Sequence, residues 1–167
     1  VGSEMCIRDR FNNKLIIPVN FPNAFDVSNA KLNEKLTINQ LRYWNQAPAN
    51  LGILEKNGVI FSITSADLRN KRDFLKNIRK AIKNGLSEKT ALNALTIIPA
   101  RSIGLEDKIG SLKNNLLANF LITTGPIFDD KTEIIENWVK GERHVIKNTD
   151  KINIDGDYSI ELNNNSY

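Results

Sequence analysis

Apolar residues follow two rhythms along this chain, and the change between them divides it. As far as Gly110, short wholly apolar runs alternate with segments of helical spacing; beyond it, apolar and polar residues begin to alternate singly. The run Leu15-Ile16-Ile17-Pro18-Val19, ended by Asn20, has the pattern of a strand buried on both faces, as parallel strands are. Phe21 to Lys35 mixes Pro, Asn, Asp and Ser without a period and predicts a long loop, a kind of segment that often carries function in compact domains. Thr37 is placed to cap a helix bearing Leu41 and Trp44. Pro48 suits the first turn of another that groups Leu51 with Leu54, and Gly58 supplies its left-handed stop. Val59 to Thr64 reads as a second buried strand. Strand, helical crossover and strand make a parallel βαβ unit, because parallel neighbours need a connection of about a dozen residues or more.

The clearest helix spans Asp73 to Asn84, with Phe74, Leu75, Ile78, Ala81 and Ile82 on one face and Gly85 as its stop. Arg72, Lys76, Arg79, Lys80 and Lys83 fall on the other side. That stripe reads either as a phosphate-binding surface or as a solvated outer face; without interleaved aromatic residues the solvated face is the expectation, and nucleic acid is not a predicted partner. Ser87 caps the next helix, with Glu88 at its positive end and Ala91, Leu92 and Leu95 facing inward. Pro99 is expected to open a short helical turn that Gly104 closes. Ala118 to Thr124 and Glu133 to Val139 then read as strands, and Lys140-Gly141 turns the second into Arg143-His144-Val145. In the tail, Ile152 and Ile154, then Asp155-Gly156, then Tyr158, Ile160 and Leu162 predict one more hairpin, the start of a further module.

Composition narrows the chemistry. The chain has 167 residues, 41% of them hydrophobic, with 23 Lys and Arg against 19 Asp and Glu and a formal charge of +4. No apolar run approaches the ~20 residues of a membrane-spanning helix, so no membrane span is expected. A single cysteine excludes an internal disulfide framework, and a single histidine, His144, excludes a multi-histidine metal site within these residues.

The segment from Gly85 to Leu112, with Ala91-Leu92, Thr96, Pro99-Ala100, Gly104-Leu105, Glu106 and Ile109-Gly110-Ser111-Leu112, resembles the end of the metal-dependent amidohydrolases, among them imidazolonepropionase and dihydroorotase. Asn20-Phe21-Pro22, Leu41-Arg42-Tyr43-Trp44 with Ala47-Pro48, and Asn137-Trp138 are similar to large amidohydrolase-related proteins of Bacteroidetes-type bacteria, some with two such regions in tandem. The sequence departs from the family after Gly110-Ser111-Leu112, where Lys113-Asn114-Asn115-Leu116-Leu117-Ala118-Asn119 lacks the customary Gly-Lys pair and Ala-Asp. The resemblance implies an α/β fold, the C-terminal part of a TIM (β/α)8 barrel, with Leu15–Val19 as strand seven and Val59–Thr64 as strand eight, followed by β strands of a composite β-sandwich. Residues 1–10, Val-Gly-Ser-Glu-Met-Cys-Ile-Arg-Asp-Arg, resemble a translated sequencing adapter of the kind found in genes from environmental DNA. The expected organisation is therefore an adapter at 1–10, the end of a barrel at 11–110, a β-sandwich return at 111–147 and the start of another β module at 148–167. The whole is expected to be a fragment that packs on a missing N-terminal barrel and on a second amidohydrolase region.

Barrel chemistry lies at the C-terminal ends of strands, so Asn20 and the residues after Thr64 are the positions to inspect. The resemblance implies hydrolysis of a small amide or cyclic amide by water activated on a divalent metal, zinc by preference, with a strand-eight carboxylate as the acid-base group. Asp67 is the candidate for that carboxylate, although it stands one or two residues late. An odd shift along a strand would aim it away from the site unless the strand has ended or bulged. Its other reading is an N-cap or turn aspartate. Asn20 is a candidate for hydrogen-bonding substrate, or alternatively an Asx-turn residue, while His144 reads as a surface residue of the β region. An inactive barrel serving as a scaffold for an active one is the alternative function. The resemblance to those large proteins, which are of an exported type, implies an exported or periplasmic location. Because two barrel strands cannot close a barrel, residues 11–167 expressed alone are expected to bind no stoichiometric zinc and to hydrolyse nothing; metal analysis and amidase assays check this.

Overall fold

The computed structural model describes residues 15–25 and 36–148, together with two short strands at 161–162 and 165–166. The segment 1–10, most of the loop toward Lys35 and the predicted hairpin through Ile152 and Ile154 lie outside the described residues. Strand β1 (Leu15–Pro18) leads through helix α1 (Ile38–Gln46), a 3-10 turn at Ala47–Ala49 and helix α2 (Asn50–Lys56) to strand β2 (Phe61–Thr64). β1 and β2 pair in parallel, with Leu15 opposite Phe61 and Pro18 opposite Thr64, as the alternation of buried runs and helical segments predicts. Helices α3 (Asp73–Lys83), α4 (Glu88–Leu95) and α5 (Ile97–Ser102) follow. Strands β3 (Phe120–Thr123), β4 (Ile134–Val139) and β5 (Glu142–Val145) then form an antiparallel sheet in that order. At the tail β6 (Glu161–Leu162) pairs with β7 (Asn165–Ser166).

Local chemistry sets the element ends. Thr37 and Gln40 form a reciprocal capping box on α1, satisfying two otherwise orphaned N–H groups. Ser87 Oγ accepts from Thr90 N at 3.1 Å to start α4. Pro99 does not open α5, which begins two residues earlier at Ile97. Its ring is tolerated there because the N–H groups of a helix's first turn have no intrahelical acceptor. At the β4–β5 turn, Lys140 and Gly141 both take positive φ, 53° and 85°, the combination that matches the twist of a two-residue hairpin.

The core gathers Val19, Leu51, Phe61, Ile63, Leu68, Ile78, Ala81, Leu86, Ala91 and Ala94, joined by Phe128 from the loop between β3 and β4. Phe61, Leu51, Ile78 and Val19 are the largest fully buried side chains, and each such burial stabilises by about 1.5–3 kcal/mol. β2 is buried on both faces, its Ser62 included, whereas Leu15 and Ile16 of β1 stay exposed because β2 is its only described neighbour. Leu92 also departs from expectation. It is exposed, since Ala91, Ala94 and Leu95 share the inward face at helical spacing and Leu92 lies a quarter-turn away. No helix among the described residues is long and apolar enough to cross a membrane.

Two contacts one turn apart lock α2 against the start of α4. Gly52 faces the backbone at Gly85 and Leu86 so closely that a Cβ there would lie 2.6 Å from the Gly85 carbonyl carbon and 2.9 Å from Leu86 N. Glu55 then accepts from Ser87 N at 2.8 Å and from Thr90 Oγ1 at 2.6 Å, and also from Ser87 Oγ, which places a carboxylate at the positive end of α4. Gly52→Ala is expected to cost about 1–3 kcal/mol in urea unfolding, because the backbone it meets cannot turn aside as a side chain can. Bonds from Ser87 and then Thr90 hold the Glu55 carboxyl below its ordinary 4.5, so its contribution is complete above pH 4.5 and fades as the pH falls through the lowered folded value. Glu55→Gln should therefore cost about 1 kcal/mol near neutral pH. The variant and the parent should converge in acid, which urea titrations at several pH values would measure.

Candidate functional site

Parallel pairing brings the ends of β1 and β2 to one edge, and the two predicted site residues stand there. β1 ends at Pro18, Val19 is fully buried, and Asn20 is the first exposed residue after it. β2 ends at Thr64 and passes into a turn in which Leu68 N donates to Ser65 O at 3.4 Å. Asp67 occupies the third position of that turn with φ 63°, a left-handed conformation that aspartate adopts more readily than most residues. Thr64 Oγ1 accepts from Ala66 N at 3.2 Å, Lys71 Nζ donates to Ser65 O, and the Leu68 side chain is buried, so the turn is tied on both sides. Strand alternation therefore no longer governs where Asp67 lies. Its reading as a turn residue agrees with the structure; its reading as an N-cap does not. Asn70 takes the local bond instead, its Oδ1 accepting from Arg72 N at 3.1 Å just before α3 begins, because a side-chain oxygen two residues back reaches that N–H and Asp67 is too far upstream.

Asn20 and Asp67 line one cleft of about 810 Å³ between the end of β1, the turn after β2, and α3. Phe21 and Trp44 give it apolar wall. Asp73, Lys76, Asn77, Lys80 and Lys83 contribute from α3, and Asp130 closes the far end. These α3 positions recur at helical spacing, opposite the apolar face that enters the core. Asn77 is the joint of the cleft: its Nδ2 donates to Val19 O at 2.7 Å and ties the helix to the end of β1. Sequence reasoning passed over Asn77, though an amide amid the cations at the boundary of an amphipathic helix was the available signal. Lys76, Lys80 and Lys83 are exposed, as the solvated-face reading expects, but they face this cleft.

The β3–β4 loop is bound to the same helix. Arg79 Nη2 donates to Ile127 O at 3.1 Å and to Thr132 O at 3.4 Å, while Lys83 Nζ pairs with Asp130 at 2.5 Å. The Lys83 hydrogen bond and charge, with a smaller effect of Arg79, hold the Asp130 carboxyl below its ordinary value. In the β sheet, Glu136 is buried and accepts from Trp138 Nε1 at 2.7 Å and from Arg143, which lowers its carboxyl. Trp138 stacks on Phe120 with centroids 5.4 Å apart. His144 sits exposed on β5 opposite Asn137, away from the cleft.

The described residues do not fit a resident divalent metal. Among them no group of three or more His, Cys, Asp or Glu stands together, and Asp67, Asp73 and Asp130 share the cleft with Arg69, Lys76, Arg79, Lys80 and Lys83. The cations outnumber the carboxylates, so these residues do not by themselves assemble a metal site.

Residues 27–150 match the family described as amidohydrolase family. Among solved structures, an amidohydrolase from Thermotoga maritima MSB8 is 26% identical, with TM-score 0.53, over 57% of this chain and 25% of that one. A Xaa-Pro dipeptidase with methionine bound in its active site is 18% identical, TM-score 0.54, over 64% of this chain and 27% of that one. A further amidohydrolase is 18% identical, TM-score 0.53, over 70% and 31%. The chain thus spans about a quarter to a third of the length of these structures. No curated protein matches it. The parallel pair with its helices fits part of a TIM barrel.

Proposed function

The chain belongs to the amidohydrolase family, and on that premise we propose that it forms part of a hydrolase acting on non-peptide C–N bonds of small amides or cyclic amides. The observation that carries this reading is the meeting of Asn20 and Asp67 in one cleft at the same ends of two parallel strands. In a barrel enzyme those ends are where the reacting groups gather. Asp67 takes the proton of the attacking water as its oxygen bonds to the carbonyl carbon, and returns it to the nitrogen as the C–N bond breaks. Asn20 donates a hydrogen bond that orients the substrate. On this reading β1 and β2 are barrel strands seven and eight, residues 11–110 end the barrel, β3 to β5 within 111–147 belong to a composite β-sandwich, and 148–167 begin a further module. The divalent metal typical of the family, zinc by preference, is held by residues other than those described, in a longer exported protein.

A second reading, a barrel that has lost catalysis and packs as a scaffold against an active one, is favoured by one observation: among the described residues that line the cleft, cations outnumber carboxylates around Asp67. Hydrolysis of N-acyl amino acids and cyclic amides by the longer protein separates the two. Asp67→Asn is expected to lower kcat by about 10²- to 10⁴-fold with substrate affinity nearly kept. An unchanged rate removes Asp67 from the reaction, and a metal-loaded parent protein without turnover supports the scaffold.

A further inference from the structure

The lysines of α3 have no counter-ions equal to their number. Lys83 is neutralised by Asp130, and Arg79 spends its Nη2 on the carbonyls of Ile127 and Thr132. Lys76 and Lys80 make no ion pair among the described residues, although Asp73 lies one helical turn before Lys76. Lys80 Nζ instead stands 5.7 Å from the centre of the Phe21 ring, on the segment that leaves β1 beside Asn20. The Nε of Arg79 is buried without a partner. Uncompensated positive charge therefore collects in the cleft that Asn20 and Asp67 open into. Concave walls concentrate such a field and draw anions from solution more strongly than lysines spread over a convex surface.

We propose that this cleft binds the carboxylate of its ligand between Lys76 and Lys80, so that the substrate class is an amide bearing a free carboxylate. The inference rests on the hydrolase reading for the ligand's amide end; the anion site stands on the cleft itself. The volume of about 810 Å³ admits a molecule of small-metabolite size with its carboxylate against α3 and its amide toward Asp67. Asn77, fixed to Val19 O, holds α3 at the strand end, and Lys83 with Asp130 closes the other end as an already neutral pair. Charge-assisted bonds from two ammonium groups distinguish a carboxylate from the isosteric neutral amide, which offers those groups a weaker acceptor.

Calorimetric titration of the full chain with N-acetylglycine, N-acetylglycinamide and inorganic phosphate tests this without turnover. N-acetylglycine is expected to bind about tenfold more tightly than N-acetylglycinamide, with the preference shrinking as salt rises. The double substitution Lys76→Gln with Lys80→Gln should bring the two affinities together, and Lys76→Arg with Lys80→Arg should retain the preference. Equal affinity for the two ligands in the parent, a preference that survives the Gln pair, binding of phosphate alone, or binding of none of the three overturns the proposal. If the Gln pair unfolds, the salt dependence and the Arg pair decide. Loss of hydrolysis in the longer protein with the carboxylate preference intact would instead strike only the hydrolase reading.

Discussion

Val19 donates its N–H to Thr64 O at 3.4 Å, its carbonyl accepts from Asn77 Nδ2 at 2.7 Å, and its side chain is wholly buried. Those three constraints fix one peptide segment to β2, to α3 and to the core at once. The parallel register of β1 on β2 continues through it to the first exposed residue, Asn20. A slip of one residue would exchange the buried and exposed positions along β1, and the Val19 side chain, without accessible surface, makes that exchange costly. The cleft exists because this junction sets where the chain leaves the sheet. From there Phe21 reaches the Lys80 ammonium, and Asn20 arrives on the same edge as the turn that carries Asp67.

The loop between β3 and β4 ties the antiparallel sheet to the parallel pair through α3. Phe128 enters the core, the Arg79 guanidinium bridges two loop carbonyls, and Asp130 meets Lys83. Exposed pairs such as Lys83 with Asp130 contribute little alone. Buried Phe128 and the half-buried Arg79 bonds carry the attachment, and the ion pair sets its orientation. The β region is thus more than an appendage in this fold: one of its carboxylates forms a wall of the cleft and neutralises Lys83, which leaves Lys76 and Lys80 as the two α3 lysines without a carboxylate.

Much of this was legible in the residues, and what was not follows from one cause. Local rules located Thr37 and Ser87 as caps, Gly58 and Gly85 as left-handed stops, and Lys140-Gly141 as a hairpin turn, because each depends only on neighbours within a few positions. The apolar runs gave the parallel pair. The polar face of α3 was equally visible as a face, but a helical wheel says nothing of what stands opposite. Only the placement of Asn77 beneath Val19 turns lysines that read as an outer surface into the wall of a cleft. Asp67 shows the same limit from the other side. Counting along β2 presumes that the strand continues, whereas it ends at Thr64 and a left-handed turn re-aims the chain, so the parity argument that disfavoured Asp67 loses its premise.

The topology also accounts for which parts of a site these residues supply. A strand in a parallel barrel delivers about one residue to the mouth, so a cluster of several metal ligands must draw on several strands. β1 and β2 deliver Asn20 and Asp67, one polar group each, and no cluster of three ligating groups forms among the described residues. A helix lying across strand ends obeys a different arithmetic. It presents a side chain to the same wall at every turn, as Asp73, Lys76 with Asn77, Lys80 and Lys83 do on α3. Neighbouring cations on one wall suit holding a carboxylate between them, whereas single residues at strand ends suit proton transfer and orientation at one atom. The division between a cation-lined helix and a pair of strand-end polar groups therefore follows from how helices and parallel strands meet a cleft.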